Sequence, residues 1–510
     1  MYKRTFERKT EAGTDTEMED MLKKIDPSML RSTLAEDNEQ PAKKIKLTHT
    51  HLNDEDANTP SSINAYTGWT VPSKNHIIET INLQKSNLTP QKFFHQYISQ
   101  RRPVVIQGLP EDLLQLKEWT DEYLIEKAGT ESIMVEKRDS TEDSFGRGKE
   151  VAMKLEEFIQ KVKRDDDKHY LTTQDVLSNE DGRPDLMAPF MKHLQSSFPL
   201  VPELTRNLVT QNINLWMGNN GAGTSSGLHH DYHDNLYIVL RGSKKFRLFG
   251  PDDAENMYTR GEMVKIHPNG RINYKGEETT AYGADLKADA AARASIDKDE
   301  AERLLEEAER GVREGRSGAK EELERAEEMM EDAMEALLDA EMGGSDDEEG
   351  SGEDDDDADD DGMGLFAGNS ENLDGHDTDG DEEDGDCKPS AEEEEHDVLD
   401  FTKPRLVDKT VKNPDNFSVI DPHLLDCKDK LQAEYPLATK AKPAFCQVHE
   451  GEMLYLPASW LHEVTSFGSK NGHMAFNYWL HPPDALDNFE KPYSTDFWPN
   501  DFRQRFENNS

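Results

Sequence analysis

Cysteine is nearly absent: the 510 residues contain three. Cys387, Cys427 and Cys446 form no CxxC pair, which argues against a disulfide framework and against a zinc-finger module. No run reaches the roughly 18 apolar residues of a membrane span. The first residues, "MYKRTFERKTEAGTDTEMEDML", lack the apolar block of a signal peptide. A soluble protein of a reducing compartment, nucleus or cytoplasm, is therefore expected, with no membrane partner. Neither a Gly-rich phosphate loop nor a Ser-His-Asp arrangement stands out. Positive charge is scarce, with 59 Lys and Arg against 106 Asp and Glu, a formal net charge of −47. That balance, without a basic stripe, argues against direct nucleic-acid binding.

The negative charge is concentrated. Glu341 to Asp400 holds 28 acidic residues and one Lys, Lys388, a net of −27 in 60 residues, leaving −20 for the other 450. Such a tract stays solvated and serves basic partners, so a basic protein substrate recruited by it is expected. Within it, "DTDGDEEDGD" (Asp377 to Asp386) resembles a calcium loop, but Glu382 stands where the sharp turn needs Gly, so it reads as acidic linker. Ser345 and Ser351 precede acidic residues and suit an acidophilic kinase. "PAKKIKL", Pro41 to Leu47, resembles a short basic nuclear-import signal.

Residues 1–75 are polar and aperiodic and read as a disordered tail. Phe93, Phe94, Tyr97 and Ile98 recur at helical spacing behind Pro90. "PVVIQG" reads as a buried strand and "EWTDEYLIEKAG" as a helix. "SIMVEKRD", "HYLTTQDV", "NINLWMG", "NLYIVLRG" and "KKFRLFG" read as further strands. From 283 to 342 the sequence is nearly all helix-former. Glycines between 311 and 318 divide it, with Leu304, Leu305, Ala308 and Val312 on one face and Leu323, Ala326, Met330, Met334 and Leu337 on the other. This reads as a helical hairpin that leans on its own domain or binds a partner. Strand character returns at "AFCQVHEGEMLYLPASWLHEV" and "HMAFNYWLHPP". One β domain, 76–282 plus 400–510, interrupted by a helical and acidic insertion at 283–399, accounts for the pattern, because loop-closure entropy grows only logarithmically. The fold class expected is mainly β with flanking helices.

"SGLHHDYHDNLYIVLRGSKKF", residues 226–246, sets three histidines and two aspartates at the mouth of an apolar strand. It reads either as a polar loop entering a sheet or as a metal site. In an extended segment His229 and Asp231 face one way and His230 the other. A metal of the two-His, one-carboxylate type needs a second His from another strand. His462 in "GEMLYLPASWLHEV" is the candidate, with a satisfied turn histidine as the alternative.

These stretches resemble the JmjC (cupin-like) Fe(II)- and 2-oxoglutarate-dependent oxygenases, in the branch of small hydroxylases related to factor-inhibiting-HIF. "LHHDYHDNLYIVLRGSKKF" is similar to that family's H-x-D strand and "GEMLYLPASWLHEV" to its G-[DE]-x-x-Y-x-P-x-x-W-x-H segment. "RRPVVIQG" and "EWTDEYL" are similar to its N-terminal segments. The resemblance implies a double-stranded β-helix (jelly-roll) core, with His229, Asp231 and His462 as iron ligands. It implies that Lys244, Ser226, Tyr170, Asn235 and Asn477 contact the cosubstrate 2-oxoglutarate, and that O2 is consumed. Of the neighbours Lys244 and Lys245 only one can enter the barrel, and His230 and His233 are left as polar surface or substrate contacts. Protein-side-chain hydroxylation is the expected activity. Histone lysine demethylation, tRNA-base hydroxylation and non-catalytic binding of histones or ribosomal proteins are the alternatives.

Overall fold

The computed structural model of the protein describes residues 63–138, 149–164, 166–178, 182–219, 223–342, 414–469 and 471–507. The import-like run at 41–47, nearly all of the acidic tract, its calcium-like stretch, Ser345, Ser351 and Cys387 lie outside them. The strands among the described residues are β1 (Thr80–Asn82), β2 (Val104–Gln107), β3 (Ser132–Lys137), β4 (Lys149–Lys154), β5 (His169–Leu171), β6 (Thr210–Gly218), β7 (Thr224–Ser225), β8 (Asp234–Arg241), β9 (Ser243–Phe249), β10 (Met263–Ile266), β11 (Ile272–Tyr274), β12 (Ala444–His449), β13 (Glu452–Leu456), β14 (Leu461–Phe467) and β15 (His473–Leu480). Nine form one sheet, in the order β1-β2-β13-β8-β15-β6-β5-β3-β4. Four form a second, β12-β9-β14-β7, and β10 pairs with β11. Strands from both sides of the insertion alternate: β13 lies between β2 and β8, β15 between β8 and β6, and β9 between β12 and β14.

Side-chain alternation gives the large sheet two different faces. Leu236 and Ile238 of β8, Leu215 and Met217 of β6, and Phe476 and Tyr478 of β15 point to one side. There they join Leu124 of α1 (Asp121–Ala128) and Phe158, Ile159 and Val162 of α2 (Leu155–Lys163) in the main core. Tyr237, Val239, Leu454 and Ala475 point to the other side, against Phe246 and Leu248 of β9 and Cys446 and Val448 of β12. The site lies on that inner face, between the sheets. The mainly β architecture with flanking helices is thus the one expected.

Two expectations need correction. The tail expected to run to residue 75 ends earlier: Val71 is buried, Trp69 stacks on Trp460 with centroids 5.8 Å apart, and Ala65 N–H donates to the Ile266 carbonyl at 2.9 Å. Polar composition hid this, because the partners lie far along the chain. The hairpin is real, α3 (Leu286–Arg313) and α4 (Ala319–Met342), but its seam is not the leucines. Ala294, Ala301 and Ala308 lie buried on α3, and Ala319, Ala326 and Ala333 on α4, a seven-residue repeat in each helix. The larger residues flank this seam, and Met334 is 56% exposed. The hairpin packs mainly on itself rather than leaning on the β domain. It is tied at its base, where Arg293 Nη2 donates to Tyr282 Oη (3.0 Å) and Trp498 Nε1 to the Tyr282 carbonyl (2.8 Å).

One ion pair joins the segments that surround the site. Arg101 and Asp234 are fully buried and meet through two bonds, Nη1 to Oδ2 at 2.8 Å and Nη2 to Oδ1 at 2.5 Å. Tyr455 Oη (2.6 Å) and the Ala458 N–H (2.8 Å) donate to the same carboxylate, and Arg101 Nε donates to the Asn269 carbonyl at 2.8 Å. Arg101→Ala leaves Asp234 as an uncompensated buried charge and should cost about 3–5 kcal/mol. Urea unfolding measures this, and a loss below about 1 kcal/mol would show that the pair does not hold the fold.

Candidate metal centre

His229 lies in an extended stretch between β7 and β8. Its N–H donates to the His462 carbonyl at 3.1 Å, and its carbonyl accepts from the His462 N–H at 2.6 Å. Directly opposed antiparallel residues share a face, and the two imidazole centroids are 4.4 Å apart. Asp231, two residues on, has Oδ2 3.8 Å from His462 Nε2. One ligand atom from each of the three lies within 4.8 Å of the others, the only such cluster among the described residues.

The ring tautomers follow from the backbone. His229 Nδ1 faces the Gly227 carbonyl at 3.2 Å and His462 Nδ1 faces the Trp460 carbonyl at 2.8 Å. A carbonyl only accepts, so each Nδ1 carries a proton and each Nε2 is the nitrogen turned toward the cluster. Burial first, and the His462 imidazole second, hold the His229 pKa well below its ordinary value, so the ring stays neutral. The turn before His462 is strained to reach this arrangement. Ser459 has φ +61°, costing about 1–3 kcal/mol. Its N–H donates to the Asp231 carbonyl at 2.8 Å, and its Oγ accepts from the Ile272 N–H at 3.1 Å.

A directional relay supports Asp231. Trp216 Nε1 donates to Asn477 Oδ1 (2.8 Å), Asn477 Nδ2 to Asn235 Oδ1 (3.1 Å), and Asn235 Nδ2 to Asp231 Oδ2 (3.4 Å). An indole only donates, so it fixes the orientation of both amides and delivers a proton donor to the carboxylate. Asn235 and Asn477 therefore stand behind the candidate ligand Asp231 in this arrangement.

On the inner face the pair of lysines separates as alternation requires. Lys245 points outward, whereas Lys244 is 5% exposed, opposite Ser466 in the β9–β14 register. Its Nζ is 3.3 Å from Tyr170 Oη and 4.8 Å from the centre of the Tyr237 ring. Burial pushes its pKa down to about 7, and no acidic side chain among the described residues pairs with it. Tyr237 Oη and both ring nitrogens of His473 are also buried without a hydrogen-bond partner, and the His473 ring stacks over Tyr170, centroids 6.0 Å apart. Isolated buried polar groups are costly. A cluster of donors around a lysine amine without an acidic partner therefore fits an anion such as the far carboxylate of 2-oxoglutarate.

Ser226 does not join this cluster. Its Oγ donates to the Gly227 carbonyl (3.0 Å) and accepts from the Val464 N–H (3.2 Å), so its one proton is committed to backbone. His230 is neither surface nor substrate contact: it is fully buried, with Nε2 2.8 Å from Tyr274 Oη, in the core on the opposite side of its strand. His233 packs against Trp479 and His481, and burial, then the Arg271 charge, pushes its pKa down to about 3. Trp216, Tyr237 and His473 were missed because they look like ordinary strand residues. Their parity relative to Asn235 and Asn477 is the signal that places them inward.

Two imidazoles and one carboxylate suit a first-row divalent ion and leave coordination positions open for other ligands. With the two-sheet barrel around them, they define a cupin-type metalloenzyme. The pattern of the cupin-like domain matches residues 90–485, and the chain belongs to that family, among its JmjC 2-oxoglutarate-dependent oxygenases. It is 34% identical over 457 residues to "JmjC domain-containing protein 4" of Schizosaccharomyces pombe, covering 85% of this chain and 90% of that one. It is 26% identical over 172 residues to the human "Bifunctional peptidase and (3S)-lysyl hydroxylase JMJD7" (32% and 52% of the two chains). It is also 26% identical over 195 residues to "Lysine-specific demethylase 8" of Xenopus tropicalis (38% and 41%). Among the described residues no helix is long and apolar enough to cross a membrane.

Trp216→Phe keeps the ring and removes the donor that starts the relay. It should weaken divalent-metal affinity about 10–100-fold, as read by titration calorimetry, with little further loss when Asn477→Ala is added. Fully additive losses would mean that the relay does not act as one unit.

Proposed function

We propose that this chain holds Fe(II) through His229 Nε2, Asp231 and His462 Nε2, and hydroxylates a side chain of a protein substrate. The observation that carries this reading is Lys244, a buried amine with no acidic partner among the described residues, in the same barrel as a two-imidazole, one-carboxylate cluster. Lys244 and Tyr170 would hold the far carboxylate of 2-oxoglutarate, with Tyr237 and His473 as the nearby unpartnered donors. When bound, the metal supplies O2 activation coupled to conversion of 2-oxoglutarate to succinate and CO2. The chain's own residues orient the reactants. The relay fixes the Asp231 carboxylate, the two Nδ1–H bonds aim the imidazoles, and Phe246, Leu248 and Trp460 keep the interior apolar.

A protein substrate is supported by the relatives named for lysyl hydroxylation and lysine demethylation. Hydroxylation is the primary reading. Demethylation begins with the same insertion of oxygen at a C–H bond, and the two outcomes differ in mass, by gain of one oxygen or loss of a methyl group. The substrate is a basic protein steered to the site by the acidic tract, so binding falls with salt. Deleting 343–399 should weaken binding at low salt, and unchanged affinity would remove the tract from recruitment.

Purified protein supplied with Fe(II), ascorbate and 2-oxoglutarate should form succinate, and His229→Ala should abolish it. Succinate at the wild-type rate in that variant would overturn the assignment of the triad. A second outcome follows from Lys244. Without a bound anion the Lys244 amine is largely neutral above pH about 7, and an incoming carboxylate favours the protonated form. Binding of 2-oxoglutarate should therefore take up a proton at pH 8 and weaken as pH rises further. Calorimetry in buffers of different ionisation heat would show no proton uptake if Lys244 were not the partner.

A further inference from the structure

The stretch that carries His229 has a backbone neighbour on each side. One is β14. The other is Asn416–Ser418, where the chain returns from the acidic insertion. His230 N–H donates to the Asn416 carbonyl (3.2 Å), Asn416 Nδ2 to the His230 carbonyl (2.5 Å), and Ser418 N–H to the Leu228 carbonyl (2.9 Å). His229 and Phe417 form an antiparallel bridge, so their side chains share a face. The Phe417 ring lies over the His229 imidazole, with centroids 4.9 Å apart and planes at 12°.

Among the described residues the His229 ring has one hydrogen bond to fix its rotation, the 3.2 Å contact to the Gly227 carbonyl. That bond leaves the plane free to rock, and the His462 ring, tilted by 56°, gives no flat surface to stop it. Phe417 does. It is itself held: its carbonyl accepts from the Arg260 N–H at 2.8 Å, its N–H donates to the Pro414 carbonyl at 3.1 Å, and Ser418 Oγ donates to the Met257 carbonyl at 2.6 Å. Ile420, three residues on, is buried in the core beneath.

We infer that Phe417 is a positioning residue for the metal ligand His229, so that the segment following the insertion is part of the metal centre and not a linker beside it. The inference rests on the reading of His229 as a ligand. Nothing in the H-x-D stretch announces Phe417, which reaches the site only through pairing across the insertion.

The test uses the full chain, metal-free, with Co(II) as probe. Calorimetry reads affinity, the visible absorption of bound Co(II) reads ligand geometry, and thermal unfolding without metal reads the fold. Phe417→Ala should weaken Co(II) binding about tenfold or more and alter the absorption, whereas Phe417→Tyr, which keeps the ring, should restore both to within about threefold of wild type. Phe417→Leu keeps apolar volume without a flat face and should behave like Ala. Wild-type affinity and absorption in either the Ala or the Leu variant would overturn the inference. If the Ala variant unfolds below the assay temperature, the Leu variant decides. His229→Ala separates the two readings. If it binds Co(II) as wild type does, the triad assignment falls and this inference with it. If it loses binding while Phe417→Leu does not, only the role of Phe417 falls.

Discussion

The carboxylate of Asp234 is the point on which the site depends. It accepts four hydrogen bonds, two from Arg101, one from Tyr455 and one from the Ala458 backbone, and has no exposure to solvent. The donors come from two distant parts of the chain, Arg101 before β2 and the β13 end with its turn. Asp234 begins β8 three residues after Asp231, and Ala458 lies in the turn four residues before His462. A buried pair of this kind contributes little net stability compared with apolar replacements. What it supplies is registration, because its bonds are satisfied only when β8, β13 and the segment before β2 meet in one arrangement. The strained Ser459 conformation is tolerated next to it because the neighbours on both sides are fixed.

The large sheet does two jobs at once. Its outer face, covered by α1, α2 and the Phe93–Phe94 region, is an ordinary apolar core. Its inner face carries Asn235, Tyr237, Asn477, His473 and Trp216, a polar stripe that would be a defect in a closed core. Because successive residues alternate between the faces, the same strands that stabilise the domain also present the chemistry. A one-residue slip of β15 against β8 would exchange Asn477 for Phe476 at the site and lose both functions together.

Much of this was legible in the sequence, and the reasons for the rest are physical. The H-x-D spacing and the strand-turn signature before His462 located three groups that do come together, and alternation separated Lys244 from Lys245. Residue type alone could not say where a proton goes. Ser226 has the expected hydroxyl but donates it to backbone, and His230, adjacent to a candidate ligand, turns to the other face and into a core. Trp216 and Phe417 were invisible for a different reason. An indole in a strand and a phenylalanine after an acidic tract acquire meaning only from their partners, and those partners are set by long-range pairing. The hairpin was readable as two helices, but its alanine seam was obscured by larger leucines and methionines that flank it.

The relay from Trp216 to Asp231 runs in one direction only, since an indole cannot accept, and it is complete in the protein alone. The carboxylate is therefore oriented by residues of the fold, and both imidazole Nδ1 atoms are tied to backbone carbonyls. A site held this firmly by its own hydrogen bonds gives up a means of choosing among ions by fit. Cations that prefer nitrogen donors more strongly than iron does would occupy the same three atoms at least as well. Selection is then left to the supply of metals in the compartment, and an oxygenase built this way is open to inhibition by whichever competing ion is plentiful there.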